Sequence, residues 1–297
     1  MTIQKSYQNN QQGALYLVPT PIGNLGDMTF RAVEVLKQSD LILAEDTRHT
    51  QKLLNHFEIT TPQKSFHKFN TQERIPEIIE ELEQGRMIAE VSDAGMPVIS
   101  DPGSALVQEC VKAQIPVIPL PGANAALTGL VASGLEADSF TFIGFLPRQS
   151  KARMEQLNQY QNHADTLMFY ESPHRLKSAL QDCLKVFGST RKACVVRELT
   201  KQHEEFNRGT LEELVDYYTA HSEVKGEICF LVNGNPHPKT ENEQLNDQLQ
   251  ILSLKEQVTW WMDHDQIAVK PAIKKVAKLN DLAKQDVYKA YHEIEGR

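Results

Sequence analysis

Short apolar runs alternate with amphipathic stretches along most of the chain, which is the pattern of buried strands connected by helices. Strands are predicted at 15–19, 41–44 and 115–120, and apolar residues recur at three- and four-residue spacing in the segments between them. Parallel strands need helical crossovers of this kind. The first 120 residues therefore predict a mostly parallel sheet that is covered by helices on both faces.

The alternation restarts at Phe140 and predicts a second α/β unit of about 100 residues. The polar stretch 233–244 predicts a linker, and helical spacing returns at 247–264, 267–279 and 284–294. The predicted fold class is α/β, with two α/β domains and a small C-terminal helical domain. Its predicted parts are a disordered tail at 1–13, an N-terminal α/β domain at 14–122, a second α/β domain at 123–235 and the helical domain at 245–297.

Composition narrows the class of protein. Of the 297 residues, 40% are hydrophobic and 24% are charged, which is ordinary for a globular protein. No apolar run approaches the ~20 residues that a membrane span requires, and no signal peptide opens the chain. The four cysteines are far apart and lack metal-ligand spacing, so reduced buried thiols and no metal site are expected. We therefore expect a cytoplasmic protein without a membrane partner, and we place no weight on the terminal residues IEGR.

Charge is distributed unevenly. The formal net charge of -8 argues against a uniformly basic nucleic-acid binder. The segment 270–289 is different, because it contains six lysines and only two aspartates. The C-terminal lysines are therefore candidates for contacts with RNA phosphates, with a solvated helix face as the alternative.

The loop VSDAGMPVISDPG (91–103) follows a predicted buried strand and precedes a predicted helix. In open α/β sheets, ligands bind beyond the carboxyl ends of the strands, and prolines and glycines make such a loop preorganised. The earlier loop TPIGNLGD has only a GxxG spacing at Gly23 and Gly26, so neither a Rossmann dehydrogenase nor a P-loop NTPase is favoured.

Charged residues follow three predicted strands. EDTRHT supplies Glu45 and Asp46 as proton acceptors, with Arg48 and His49 as anion-binding groups. ESPHR follows a strand of the second α/β domain. Arg197 and Glu198 follow another strand and are expected to form an ion pair rather than a turn. PGANAA (121–126) begins a helix whose free N–H groups favour an anion. Together these strand ends predict a ligand crevice.

In chain order, eight motifs resemble the ribosomal RNA small subunit methyltransferase I family of the tetrapyrrole methylase superfamily. The motifs are VPTPIGNLGD, AEDTRHT, VSDAGMPVISDPG, PLPGANAA, GFLPRQSKAR, FYESPHR, RELTK and KGE. The resemblance covers roughly 15–235, with a looser likeness in the C-terminal helices. It implies S-adenosylmethionine in a cleft between two α/β domains, 2′-O-methylation of a cytidine in 16S rRNA of the small ribosomal subunit near the decoding centre, and a homodimer.

The resemblance also implies roles for particular residues. The implied cofactor contacts are Pro21, Asp93, Ala94, Gly95, Met96, Pro97, Gly122, Ala123, Ala126, Phe169, Tyr170 and Arg197. Met96 departs from the family motif, which has Thr there, and PGANAA departs from the commoner PGPxA. A 2′-hydroxyl must lose a proton during methylation, so a general base is expected. The sequence leaves Glu45 and Asp46 open for that role, with Arg48 and His49 positioning phosphate.

Basic residues at three places suggest the RNA contacts, namely Arg148, Lys151, Arg153, His174, Arg175, Lys274, Lys275 and Lys278. A porphyrinoid C-methyltransferase is the nearest alternative, because it shares the fold. A non-enzymatic RNA-binding protein is the alternative from another class, but it leaves the charged strand ends without a purpose. The sequence does not indicate whether naked rRNA or the assembled subunit is the substrate.

Overall fold

The computed structural model describes residues 3–6, 13–221 and 223–292, and the chain forms two compact units, Met1–Asn235 and Pro236–Arg297. Within the predicted disordered tail, residues 3–6 are ordered against the first unit. The Gln4 side chain accepts a hydrogen bond from the Val117 N–H at 2.9 Å and donates one to the Val117 carbonyl at 2.8 Å. The rest of that tail apart from Gly13, and the IEGR terminus, lie outside the described residues.

The first sheet is entirely parallel, in the order β3-β2-β4-β1-β5. This confirms the predicted parallel sheet. Of these strands only β3 was not predicted, because it is short and its three residues, QKS, are polar. The strands of the first sheet are β1 (Ala14–Leu17), β2 (Leu41–Ala44), β3 (Gln63–Ser65), β4 (Met87–Val91) and β5 (Val117–Pro119). Its helices are α1 (Phe30–Gln38), α2 (Thr47–His56), α3 (Thr71–Glu83), α4 (Ser104–Lys112) and α5 (Ala125–Ser133).

Alternation along the central strands creates two cores, one on each face of this sheet. Ile42 and Ala89 belong to the core on one face, whereas their neighbours Leu43 and Ile88 belong to the core on the other. Both faces are therefore buried, as parallel sheets require. Burial on both faces leaves the carboxyl ends of the strands as the place where polar loops gather.

The second sheet is mixed, in the order β6-β7-β10-β8-β9. Strand β10 lies between β7 and β8 and is antiparallel to both, so the carboxyl ends of β7 and β8 flank the start of β10. The strands are β6 (Phe140–Phe145), β7 (Thr166–Glu171), β8 (Lys192–Arg197), β9 (Glu205–Thr210) and β10 (Ile228–Val232). The helices are α6 (Ser150–Gln159), α7 (Leu176–Phe187) and α8 (Leu211–Ala220).

Helix α5 joins the two sheets. It follows the last strand of the first sheet, but its residues Ala126 and Leu130 pack in a core with Met168, Cys229 and Leu231 of the second sheet. The chain therefore crosses from one sheet to the other at PGANAA, and a cleft forms beside that crossing. All four cysteines are free and buried, as predicted.

The second unit consists of α9 (Glu241–Gln250), α10 (Leu254–Asp265), α11 (Val269–Leu279) and α12 (Lys284–His292). The helical spacing predicted at 247–264 is divided between α9 and α10, because Ser253 caps a new helix and forms a capping box with Glu256. Helix α9 begins inside the predicted linker, where Thr240 and Glu243 form a second capping box. Within the described ranges, no helix is long and apolar enough to cross a membrane.

Candidate functional site

The carboxyl ends of β4 and β7 and the start of β10 surround a cavity of about 520 Å³. Its walls come from both sheets of the first unit. Acidic groups on the walls are Glu45, Asp93, Asp101, Glu171 and Glu227, and apolar groups are Ile22, Met96, Ile99, Phe145, Val196 and Leu199; Tyr170 also lines it. A cavity of this size and mixed lining is suited to a small ligand.

The loop 91–103 is the wall that the first sheet supplies. Gly95 exchanges two backbone hydrogen bonds with Thr20, both 3.0 Å long, which ties this loop to the loop after β1. Val98 and Ser100 have φ values of 74° and 67°, a left-handed conformation that is costly for a β-branched residue. The strained backbone turns the loop along the cavity and is a known feature of ligand sites.

Gly103 ends this loop, and no other residue type fits there. Its φ is 127°, and a Cβ atom would lie 2.2 Å from Oε1 of the buried Glu90. The Oε2 atom of Glu90 is buried without a hydrogen-bond partner among the described residues. Burial, together with the nearby Asp101 charge, raises the pKa of Glu90 to about 8, so this carboxyl is neutral at neutral pH.

Hydrogen bonds from backbone N–H groups to carboxylates connect the ends of β2 and β4. The Asp46 N–H donates to the carboxylate of Asp93 at 3.2 Å, and the Asp93 N–H donates to the carboxylate of Glu45. This exchange fixes the ends of β2 and β4 side by side. The side chains of Glu45 and Asp93 are thereby directed to one cavity.

The acidic groups raise one another's affinity for protons. Burial and the neighbouring Asp93 charge raise the pKa of Glu45. Burial, followed by the charges of Glu45 and Asp93, raises the pKa of Asp101 to about 6, although a hydrogen bond from Ser92 opposes this shift. Both carboxyls are therefore poised to exchange protons closer to neutrality than free carboxyls.

Asp46 lies beside Glu45 in sequence but has a different environment. It is the N-cap of α2, where its carboxylate accepts from the Arg48 N–H at 2.9 Å, and it also forms a two-point ion pair with the Arg48 guanidinium. These bonds hold the pKa of Asp46 far below its usual range. The geometry therefore assigns Asp46 and Arg48 to the start of α2 and leaves Glu45 in the cavity. His49 lines an adjoining cavity of about 320 Å³.

The structure separates the predicted cofactor contacts into two groups. Asp93, Ala94, Gly95, Met96 and Tyr170 line the main cavity, and Pro21 lines the adjoining one. The Ala126 N–H hydrogen-bonds the phenol of Tyr170, and burial raises the pKa of that phenol to about 12. Asn124 and Ala125 line the cavity, whereas Pro97, Gly122, Ala123 and Ala126 are not among its lining residues.

The predictions for Phe169 and Arg197 need correction. Phe169 neighbours Tyr170 on a strand, so its side chain lies on the opposite face, fully buried and stacked on Phe230 at 4.6 Å. Arg197 pairs with Glu205 on the adjacent strand at 2.6 Å, not with Glu198. Glu198 begins a turn with a φ of 51° and bonds Lys201 instead, so the expected Arg197-Glu198 ion pair is absent from the described contacts.

The predicted RNA contacts also divide. Arg153 is only 3% exposed and forms an ion pair with Asp182 at 2.7 Å, so its guanidinium is not available to a phosphate. Lys275 lies over the Trp261 ring and pairs with Asp265. Arg175 is half-buried and pairs with Glu171. Arg148, Lys151, His174, Lys274 and Lys278 are exposed, and Lys275 is exposed too in spite of its contacts.

Sequence reasoning did not single out several wall residues. Asp101 was visible in the motif ISDPG, but only the structure shows that it faces the same cavity as Glu45. Lys201 and Glu227 lie in RELTK and KGE, and they form an ion pair of 2.9 Å at the edge of the adjoining cavity. In the part of the chain that the structure describes, no cluster of side chains has the composition of a metal site.

Comparisons with known proteins define the family. Residues 14–215 match the family model of Tetrapyrrole (Corrin/Porphyrin) Methylases. The chain is 50% identical to Ribosomal RNA small subunit methyltransferase I of Halalkalibacterium halodurans, with 99% of this chain and 100% of that protein covered. It is 45% identical to the Bacillus subtilis protein of the same name, with 95% of each covered. The chain belongs to the tetrapyrrole methylase family.

A solved structure supports the same fold. The chain resembles uroporphyrin-III C-methyl transferase from Thermus thermophilus, complexed with S-adenyl homocysteine, with a TM-score of 0.53 and 18% identity. The match covers 74% of this chain and 97% of that chain. At this identity the likeness concerns the fold, and it confirms the two-domain methylase architecture predicted from the sequence.

The residues present fit S-adenosylmethionine, the cofactor of such methylases. Carboxylates of Asp93 and Asp101 are suitable acceptors for ribose hydroxyls and suitable neighbours for a sulfonium cation. Met96, Ile99 and Val196 supply apolar surface for an adenine ring. The net acidity of the walls favours a cation over an anionic dinucleotide.

Proposed function

We propose that this chain transfers a methyl group from S-adenosylmethionine to the 2′-oxygen of a cytidine in 16S rRNA, near the decoding centre of the small ribosomal subunit. The observation that carries the proposal is the acidic cavity between the two sheets, in which Glu45 faces the loop 91–103. The near full-length relatives named as small-subunit rRNA methyltransferases support the choice of RNA as the substrate.

The cofactor supplies the methyl group, and the protein residues hold the acceptor and manage its proton. Asp93, Gly95, Met96 and Tyr170 would hold the cofactor. Glu45 would accept the proton of the 2′-hydroxyl, because its carboxylate faces the cavity and its pKa is raised. Positioning of the oxygen against the methyl group would supply most of the remaining rate enhancement.

The deciding experiment is transfer of a radiolabelled methyl group by the purified protein to three acceptors: assembled 30S particles, naked 16S rRNA and a porphyrinogen. We expect label in one of the RNA acceptors, on a cytidine ribose that then resists alkaline cleavage at its 3′ side. Label in the porphyrinogen alone would support a porphyrinoid C-methyltransferase instead. Comparison of the two RNA acceptors identifies the form of the substrate.

We also propose that the protein is a cytoplasmic homodimer. Its proposed substrate is in the cytoplasm, and the resemblance to dimeric methylases favours self-association. Leu127 and Val131 support this proposal, because they lie one turn apart on α5 and are 45% and 79% exposed. Together they form an apolar surface suited to a second copy of the chain.

A further inference from the structure

The main cavity, where the cofactor would bind, is termed the cofactor cavity. Another cavity, termed the second cavity, opens beside it on the side of the second sheet and is distinct from the adjoining cavity that His49 lines. It has a volume of about 760 Å³, and its walls include Phe145, Arg148, Gln156, Ser172 and Arg175. Phe145 and Ser172 also line the cofactor cavity. The two cavities therefore adjoin at these residues, and a nucleotide that occupied the second cavity could extend its ribose into the cofactor cavity.

The Phe145 ring is both exposed and fixed. It is 58% exposed, and it packs against the Tyr170 ring at a centroid distance of 5.7 Å and an angle of 64°. Tyr170 packs in turn against Phe142 at 5.0 Å. An exposed ring held in this way is a suitable surface for stacking a nucleobase, and proteins commonly recognise unpaired RNA bases by such stacking.

The polar groups of the second cavity match the other parts of a nucleotide. Arg175 donates to the Glu171 carboxylate at 2.7 Å and to the Leu146 carbonyl at 3.3 Å, so its guanidinium is held in place. Arg148 is exposed, and its side chain has no hydrogen bond or ion pair within the described residues. An exposed arginine without a carboxylate partner, such as Arg148, is suited to bind a phosphate, and the Gln156 amide can donate to and accept from a base edge.

An unsatisfied acceptor lies in the wall of the cofactor cavity, on Glu171, next to Ser172, which lines both cavities. Oε1 of Glu171 accepts from Arg175 and from the Ser172 N–H, whereas Oε2 is buried and has no hydrogen-bond partner in the described ranges. A buried carboxylate oxygen without a donor is costly. A ribose hydroxyl or the amino group of a cytosine is a donor of the required type.

We propose that the second cavity receives the base of the acceptor nucleotide, turned out of the RNA, with Phe145 stacked on the base and Arg148 contacting an adjacent phosphate. The proposal rests on the proposed rRNA methyltransferase function. It adds the place where the acceptor binds and the residue that holds its base.

Phe140 provides a matched control for Phe145. Both are exposed phenylalanines on β6, but Phe140 is 44% exposed and lies at the other end of the strand, about 17 Å away at the usual rise per residue. The variants are Phe145→Ala, Phe145→Trp and Phe140→Ala. Each is tested for steady-state methyl transfer to rRNA and, separately, for S-adenosylhomocysteine affinity by calorimetry.

We expect Phe145→Ala to lower kcat/KM for rRNA about tenfold or more, the range for loss of one stacked base, with the S-adenosylhomocysteine affinity within twofold of wild type. Phe145→Trp should retain most of the activity, and Phe140→Ala should match wild type. The far-ultraviolet circular dichroism spectrum and the thermal midpoint report whether each variant is folded, and Phe145→Leu replaces Phe145→Ala if the latter does not fold.

Two results would overturn the proposal while the proposed function stands. In one, Phe145→Ala and Phe140→Ala have the same kcat/KM. In the other, Phe145→Ala loses cofactor affinity to the same degree as rRNA turnover, so that Phe145 is only a wall of the cofactor cavity. Absence of methyl transfer to rRNA by the wild-type protein would instead contradict the proposed function, and this proposal with it.

Discussion

Glu45 and Asp46 are adjacent carboxylates with opposite environments. Glu45 faces the cavity and has a raised pKa, whereas Asp46 caps α2 and is paired with Arg48, which is itself 88% exposed. A general base needs access to the acceptor and an appreciable proton affinity. Asp46 lacks the proton affinity, although it was one of the two candidates that the sequence left open.

We therefore expect Glu45→Gln to reduce the single-turnover rate of methyl transfer at least a hundredfold, the usual contribution of a general base. Asp46→Asn should reduce it less than tenfold, because it removes only a helix cap and an exposed ion pair. Cofactor affinity, measured by calorimetry, should change little in either variant. A larger rate loss in Asp46→Asn than in Glu45→Gln would reverse the assignment.

Asp101 is a second carboxyl of the cavity whose pKa is raised. Its pKa of about 6 reflects burial and the charges of Glu45 and Asp93. If the ionised Asp101 assists catalysis or cofactor binding, kcat/KM should fall as the pH decreases through about 6. In Asp101→Asn the limb near pH 6 should be lost, because the carboxyl that titrates there is absent. The measurement is the pH profile of kcat/KM between pH 5 and 8, and an unchanged acid limb in the variant would exclude Asp101 as its source.

At the scale of elements, strand β4 carries a buried acid, and the loop that connects β4 to α4 has a strained backbone. Glu90 is on the central strand, and its pKa is raised to about 8. Its carboxyl lies so close to Gly103 that a Cβ atom at that position would collide with it. In the unfolded chain a glutamate titrates near 4.5. Between these values the folded state binds one more proton than the unfolded state, so stability falls as the pH rises.

We expect this fall to have a slope of up to about 1 kcal/mol per pH unit between pH 5.5 and 7.5. Glu90→Gln is neutral at every pH and should flatten it, so the thermal midpoint of the variant should decrease less over that interval than that of wild type. Glu83→Gln is the control, because Glu83 is exposed at the end of α3. Parallel midpoint curves for wild type and Glu90→Gln would show that Glu90 is not the titrating group.

Most elements were predictable because their signals are local. The predicted strand at 41–44 matches β2, and α1 begins where the side chain of Thr29 caps its first turn. By contrast, the insertion of β10 between β7 and β8 depends on pairing between distant segments, which periodicity does not encode. Alternation along β7 would have separated Phe169 from Tyr170, because adjacent strand residues face opposite sides.

The site was predictable in position but not in detail. Strand ends indicated the crevice, and the motif with Asp93 to Met96 does line it. The burial of Arg153 was not predictable, because its partner Asp182 is 29 residues away and on another helix. Arg197 pairs with Glu205 of the neighbouring strand β9 rather than with the adjacent Glu198. In both cases the sequence shows the charges but not which of them the fold places side by side.

At the scale of the whole molecule, the exposed apolar face of α5 makes self-association testable. Val131→Glu places a charge in the centre of that face, and we expect it to convert a dimer, with twice the chain mass of 33.6 kDa, into a monomer. Val111→Glu is the control, because Val111 is a 49% exposed valine on a different helix, α4. Light scattering after size exclusion gives the mass. A dimer in both variants would place the interface elsewhere.

The second unit carries the strongest local positive charge on a protein whose net charge is -8. Lys274 and Lys278 are exposed one turn apart on α11, whereas Lys275 on the same helix is occupied by Asp265 and Trp261. Cations spaced in this way bind a phosphate backbone, and the released counterions make the affinity salt-dependent. The two free lysines are therefore the C-terminal residues from which we expect RNA affinity.

We expect Lys274→Glu/Lys278→Glu to weaken rRNA binding at least tenfold at low salt, with cofactor affinity unchanged. The slope of log affinity against log salt concentration should become shallower by roughly 0.7–0.9 for each lost phosphate contact. Lys37→Glu/Lys192→Glu alters the net charge by the same amount at two exposed lysines of the first unit, and it separates a local contact from a general charge effect. Equal slopes in the two double variants, measured by filter binding from low to physiological salt, would exclude α11 as an RNA-binding surface. A shallower slope in the α11 variant alone would mean that the helical unit provides RNA affinity, whereas the acidic cleft provides the chemistry.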